Sequence, residues 1–354
     1  MKSLWTPITI GRLQLSHRLV MSPLTRARAC EDGTPGELAA EYYSQRASLG
    51  LLISEGTQPS ADGQGFPNSP GIYTDAHVAG WSKVSAAVHA RGGHLFIQLM
   101  HAGRMSHPSN TPHGRQAVAP SAIVPDSKIY TKSGIVDVPE PRALSREEIR
   151  TTVNDFRHAA AQAITAGADG VEIHAANGYL IQQFFSPNSN QREDQYGGPV
   201  ENRIRFALEV VDAVVAEVGA DRVGIRISPG SSLGDIAEGS EYPALYRQLV
   251  LELAKRKLAY LHIAHNGNDE LLADLRKLWT GALLVNRVNR PLEDIACDID
   301  AGLADAVPVG RWALANPDFV KRLQEGHALN DADPSTFYGE GAKGYTDYPA
   351  FEKA

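Results

Sequence analysis

Short apolar runs recur along this chain, and each alternates with a longer stretch of helical pattern. The runs are LVMSP near Leu19, LLISEG from Leu51, HLFIQLMH from His94, GVEIHA from Gly170, VGIRISP from Val223, AYLHIAH from Ala259, GALLVN from Gly281 and DAVPVGR from Asp305. They are apolar nearly throughout instead of alternating, as expected of parallel strands buried on both faces. Helical patterns fill the gaps: TPGELAAEYYSQRAS, DAHVAGWSKVSAAVHARGG, ENRIRFALEVVDAVVAEVGAD and EYPALYRQLVLELAKRK. Ser145 and Glu148 stand at capping-box spacing ahead of Ile149, Val153, Phe156, Ala160 and Ile164, so each side chain would satisfy the other's free backbone N–H. Eight β-α units predict an α/β protein, a single (β/α)8 TIM barrel forming one domain over residues 1–354. Chemistry is then expected at the C-terminal ends of the strands. Residues 103–143 are too long and too rich in Pro, Ser and Gly for a plain connection, and predict an inserted lid or subdomain after strand three. The opening MKSLWTPITIGRLQLSHR predicts a hairpin capping the other end of the barrel.

Composition narrows the function classes. The net charge of −7 argues against nucleic acid or an anionic membrane as the main partner. The opening residues hold no unbroken apolar stretch, so a cytoplasmic protein, monomer or homodimer, is expected. Cys30 and Cys297 are the only cysteines, too few for an all-cysteine iron–sulfur cluster or zinc site. His94, His101, His107, His262 and His265 lack the HExxH spacing of a metal pair, so no metal is expected.

Polar residues nonetheless collect at the strand ends: Thr25, Glu55 and Thr57, Gln98 and His101, His174 and Asn177, Arg226, His262 and His265, and Arg311. A buried strand seldom carries an Arg or a Gln without a partner, because an unpaired buried polar group is costly. For any one residue, a satisfied interior contact explains it as well as a site does; seven of eight strands together favour an extended polar ligand across the barrel mouth. In HAANGYL an imidazole, an amide and a phenol (His174, Asn177, Tyr179) leave one strand end. Gly310-Arg311 follows strand eight, ahead of a helix expected near Asn316-Pro317, where barrels often bind phosphate. No GxGxxG or Walker loop is present.

SPLTRARA (22–29), QLMHAGRMSH (98–107), HAANGYLIQQFFSPNSNQREDQYGG (174–198), VGIRISP (223–229), GLADAVPVGRWALANPDF (302–319) and FYGEGAKGYTDYP (337–349) resemble, in order, the old yellow enzyme family of FMN-dependent ene-reductases. The resemblance implies FMN, tightly but non-covalently bound across the mouth, and NADPH or NADH as reductant in a ping-pong cycle. It implies Thr25 at the flavin O4, Gln98 at the pyrimidine edge, Arg226 near N1, and Gly310 and Arg311 at the phosphate. Pro23, Leu24 and Gly56 would face the ring system. It further implies that His174 and Asn177 hydrogen-bond the oxygen of an activated alkene, or of a phenolic inhibitor, and that Tyr179 is the proton donor. Phe66, Met100 and Tyr338 fall at the family's pocket positions.

Three sites depart from the family's pattern: two pocket positions and one loop. Met100 stands where Trp is frequent, which predicts a wider pocket. Phe66 stands where Tyr is common. Val288 and Asn289 occupy the usually Gly-rich loop after strand seven; Val resists a left-handed backbone, which predicts a weaker hold on the phosphate. Arg287 and Arg290 read as surface arginines, with direct phosphate contact as the alternative. The larger flavin reductases with an added iron–sulfur domain are excluded by length and cysteine count. A flavin- or phenol-binding sensor without turnover and a metal-dependent hydrolase are the competing classes.

Overall fold

The structure, a computed structural model, describes residues 1–351. Strands β1 (Ile8–Ile10) and β2 (Leu13–Leu15) form an antiparallel hairpin. The barrel begins with β3 (Leu19–Met21), β4 (Leu51–Ile53) and β5 (His94–Leu99). The inserted segment adds β6 (Val118–Ala119), β7 (Lys128–Thr131), β8 (Gly134–Asp137) and β9 (Arg142–Ala143). The barrel resumes with β10 (Gly170–Ala175), β11 (Val223–Ile227), β12 (Tyr260–His265), β13 (Ala282–Arg287) and β14 (Val307–Val309). The order β13-β12-β11-β10-β5-β4-β3-β14 is parallel throughout. A bridge between Leu284 and Ala306 brings the two outer strands together, so the eight strands form a barrel. All eight coincide with the apolar runs.

Register sorts the side chains. Val171, Ile173 and Ala175 of β10 join the core shared with the helices, such as Arg146–Thr165 and Arg205–Val218, which by alternation turns Gly170, Glu172 and His174 into the barrel. The floor of the barrel is a separate apolar cluster in which Ile10, Leu13 and Leu15 of the hairpin meet Val20, Leu51, Phe96, Tyr260 and Leu284. The hairpin therefore plugs the end opposite the strand C-termini. Two glycines make room for the floor's aromatics: a Cβ on Gly224 would lie 2.2 Å from the Tyr260 ring, and one on Gly170 2.4 Å from Phe96.

The capping box is present, with Ser145 N–H donating to Glu148 at 2.8 Å and Glu148 N–H to Ser145 Oγ at 3.2 Å. The helix expected near Asn316-Pro317 begins at Phe319 (Phe319–Glu325), and a further short one, Arg311–Ala315, precedes it directly after Gly310. The C-terminal segment returns to the mouth. Buried Arg26 donates to the carbonyls of Phe337 at 3.0 Å and Gly344 at 2.6 Å, and Tyr345 stacks on Tyr42 with ring centroids 4.2 Å apart.

Candidate active site

Below the mouth, between the apolar floor and the strand ends, lies a layer of buried polar groups. Glu172 is fully buried; it accepts from Gln98 Nε2 at 2.7 Å and pairs with His262 Nδ1 at 2.8 Å. Arg226 is 8% exposed and its Nε has no partner. Nearby His262, Arg226 and Gln98 hold the Glu172 carboxyl below its ordinary value despite burial, which raises it. The sequence pointed to Gln98 and Arg226 and set His262 among the polar strand-end residues without a specific role, while Glu172 went unremarked. The missed signal was a lone acid in an apolar strand, two residues from His174 and on its face.

One level higher, His174 is 3% exposed with no partner for Nδ1. Burial first, then Arg226 and His262, push its pKa well below the usual value, so the ring is neutral and can offer one N–H. Asn177 has φ +56, a left-handed conformation that Asn tolerates, and its backbone N–H donates to Ser228 Oγ at 2.8 Å. Tyr179 packs edge-on against His174 at 5.2 Å between ring centroids and against Phe66 at 6.4 Å. Its pKa is raised to about 12, chiefly by burial and then by Tyr338, with Arg226 opposing. The structure thus brings His174, Asn177, Tyr179 and Phe66 into one corner. Tyr338 is 64% exposed at the rim, carried there by the segment that Arg26 holds.

The residues expected to hold the cofactor follow the ends of neighbouring strands. Pro23, Leu24 and Thr25 are half-buried after β3, and Leu24 Cδ2 lies 3.5 Å from where a Gly310 Cβ would be, linking strands one and eight. Gly56 lies against Met100: a Cβ there would sit 2.5 Å from Met100 Sδ. After β13, the left-handed residue is Asn289 (φ +62) while Val288 avoids that region and is 69% exposed. The loop therefore makes its turn at the residue that accepts it. Arg311 donates to the Asn289 side chain. Arg287 and Arg290 are neither plain surface arginines nor free for phosphate: Arg287 bonds Asp298 at 2.8 Å and Asp269 at 2.7 Å, and Arg290 bonds Asp298 at 2.8 Å.

The insertion packs here too. Met105, Ile129 and Val138 cluster with Phe66, Val136 and Tyr179, and Asn110 Nδ2 donates to Gly65 O at 3.0 Å. No helix among the described residues is long and apolar enough to cross a membrane.

Above the apolar floor, the barrel mouth thus carries a buried polar layer with Arg226 Nε and His174 Nδ1 left without protein partners, and the comparisons with known proteins say which class of barrel this is. The NADH:flavin oxidoreductase / NADH oxidase family matches residues 3–330. The chain is 43% identical over 356 residues to the "Probable flavin mononucleotide-dependent alkene reductase" of Leishmania infantum, covering 97% of this chain and 96% of that one. It is 43% identical over 363 residues to 12-oxophytodienoate reductase 2 of Arabidopsis thaliana, covering 99% and 96%. Among solved structures, morphinone reductase in complex with tetrahydroNAD superposes with TM-score 0.94 at 44% identity, over 99% of this chain and 98% of that one. An old yellow enzyme homologue from Zymomonas mobilis gives 0.94 at 39%, over 98% and 99%. The chain belongs to this family, that of the old yellow enzymes, and is an FMN-dependent alkene reductase reduced by a nicotinamide cofactor.

Proposed function

We propose that the protein reduces the C=C bond of small alkenes conjugated to a carbonyl or nitro group, among them α,β-unsaturated ketones and aldehydes, maleimides and nitroalkenes. His174 and Asn177 bind the activating oxygen, and Tyr179 gives the proton to the α-carbon. The observation that supports this best is the convergence of a neutral buried imidazole, a side-chain amide and a protonated phenol at the end of β10.

FMN, when bound, supplies the hydride, taken from NADPH or NADH and given to the β-carbon. The residues present fit it: Arg226 Nε lacks a protein partner, Gln98 stands level with Glu172 in the same polar layer, and Arg311 stands beside Asn289. Arg226 and Gln98 would hold the ring's polar edge, Thr25, Pro23, Leu24 and Gly56 its other contacts, and Asn289, Gly310 and Arg311 the phosphate.

At the substrate, two neutral donors on one oxygen gain strength as negative charge gathers there, with no reorganisation needed. Neutral His174 serves as donor across neutral pH because Arg226 and burial disfavour its cation. A phenol with pKa about 12 keeps its proton at every working pH, and general acid transfer from it supports roughly 10²–10⁴-fold of rate. Phe66 and Met100 shape the pocket wall, Tyr338 its rim, and residues 103–143 act as a lid, consistent with Met105, Ile129 and Val138 packing toward Tyr179. Phenols bind the same donor pair as anions.

The test is Tyr179→Phe. Alkene reduction should fall about 100-fold or more, while NAD(P)H oxidation by oxygen continues. Unchanged alkene reduction would show that Tyr179 is not the donor.

A further inference from the structure

The peptide between the two substrate-facing residues is held from both sides. Gly178 N–H donates to Gln182 Oε1 at 2.8 Å, and Gly178 C=O accepts from Gln183 Nε2 at 2.7 Å. Gly178 has φ +83, and a Cβ there would lie 2.2 Å from Leu233 O, so the backbone is also closely walled. The preceding N–H, that of left-handed Asn177, goes to Ser228 Oγ, whose own proton goes to Gln182 Oε1 at 3.1 Å.

Each glutamine then ties this peptide to other loops of the mouth. Gln182 Nε2 donates to Glu238 Oε1 at 2.9 Å. Glu238, 6% exposed, also accepts from Tyr246 Oη at 2.5 Å and from Gly230 N–H at 2.8 Å. Burial raises the Glu238 pKa above its ordinary value, opposed by Tyr246, Gln182 and the Gly230 N–H; three donors and no acceptor face the carboxyl group, which makes it the anchor of the chain. Gln183 donates to Ala102 O at 3.1 Å and accepts from Arg104 N–H at 3.0 Å. Gln182, Gln183 and Ser228 are fully buried; none belongs to the substrate-facing set.

We infer that the Gln182-Gln183 pair, anchored through Ser228 and Glu238, is the positioning device that fixes Asn177 and Tyr179 relative to His174, and so sets how tightly the pocket grips the substrate's oxygen. The inference rests on the substrate role proposed above for those three residues. An adjacent pair on one helix reaches opposite sides because side chains on successive helical residues diverge. One glutamine therefore takes the N–H side and the other the C=O side. A side-chain amide suits both because it carries donor and acceptor together.

The experiment uses the full-length, FMN-loaded protein and para-chlorophenol as probe, with the long-wavelength absorption band reporting phenol and flavin fluorescence reporting FMN. Gln182→Glu sets a second carboxylate against Glu238 and should weaken phenol binding about tenfold or more, with FMN affinity within about twofold. Combining Gln182→Glu with Glu238→Gln exchanges amide and carboxylate, restores the donor-acceptor match between the two positions while giving up the 3.2 Å bond to Ser228 O, and should recover phenol affinity to within about threefold. Ser228→Ala, which removes the acceptor under Asn177 N–H together with the donor to Gln182 Oε1, should weaken phenol in the same direction without touching charge. Phenol affinity unmoved in Gln182→Glu and Ser228→Ala overturns the inference alone. So does loss of phenol and FMN binding together with no recovery in the double exchange, which is the signature of a merely structural role. No phenol band in the unsubstituted FMN-loaded protein overturns the substrate-site reading and this inference with it.

Discussion

Replacing Glu172 with glutamine removes a charge from the centre of the barrel while leaving the shape of the layer intact. The carboxylate accepts from Gln98 at 2.7 Å and pairs with His262 at 2.8 Å. A glutamine can keep both contacts, accepting from Gln98 and donating to His262 in its other tautomer, so the hydrogen-bond count is unchanged. What disappears is the negative charge that compensates Arg226. Stripping one partner from a buried charge pair costs ~3–5 kcal/mol; with both hydrogen bonds of the side chain kept, the low end, about 3 kcal/mol, applies. Unfolding entropy of ~2.1 cal/mol/K per residue over 354 residues converts this to a fall in Tm of about 4 °C. Calorimetry of the flavin-free protein, Glu172→Gln beside Arg226→Met and the double variant, reads it. The double change should cost less than the sum of the singles, because the second removes a charge the first has already orphaned. A Tm for Glu172→Gln within ~1 °C of the parent, or strict additivity, would refute the idea that Glu172 is Arg226's counter-charge.

Three further outcomes follow from the same structure. His101 is buried with a pKa near 4, below its ordinary 6.5 because burial disfavours the cation. The unfolded chain then binds the extra proton first, so up to about 3 kcal/mol of stability is lost as pH falls from 6.5 through 4; urea melts should show this, flattened in His101→Asn, whose side-chain oxygen can still accept from Gly103 N–H. Glu148 is lowered to about 2 by Arg142 first and then Ser145, so its contribution is full above about 4.5 and disappears as pH falls through 2. Because its side chain is 39% exposed, Glu148→Ala should cost only ~1 kcal/mol at neutral pH, with the difference from the parent shrinking below pH 4 in thermal melts. Arg26→Met removes the donor to three carbonyls, those of Thr336, Phe337 and Gly344; limited proteolysis should then cut within residues 334–349 several-fold faster.

How much of this could be read from the chain depends on which interactions are periodic. Parallel strands buried on both faces leave unbroken apolar runs, and all eight were legible for that reason. A polar residue inside such a run stands out, which is why Gln98, His174 and Arg226 are visible in the sequence. Glu172 was visible by the same rule. It sits opposite Gln98 in the β10–β5 register, and pairing the two polar residues across that register would have found the layer. The left-handed turn after β13 was half legible. The sequence showed two non-glycine residues in a turn that favours glycine, and the backbone resolved it by giving the positive φ to Asn289 and leaving Val288 exposed.

The brace beneath Asn177 was not legible, and the reason is physical. Gln182 meets Ser228 and Tyr246 across 46 and 64 residues, contacts set by which loops the barrel brings side by side, with no local period to betray them. In a strand or helix, one position's neighbours follow from its number; in the loops over a barrel mouth they follow from closure of the whole ring. Yet QQ after GYL was a clue of another kind. Two adjacent glutamines, both fully buried on a six-residue helix otherwise made of Leu, Ile and Phe, must each satisfy a donor and an acceptor indoors. The nearest backbone still lacking partners was that of the strand end preceding the helix, the stretch carrying Asn177 and Tyr179. Buried amides in an apolar helix next to a candidate site thus point at the backbone they brace, and that inference needs only the helix's burial, not its distant contacts.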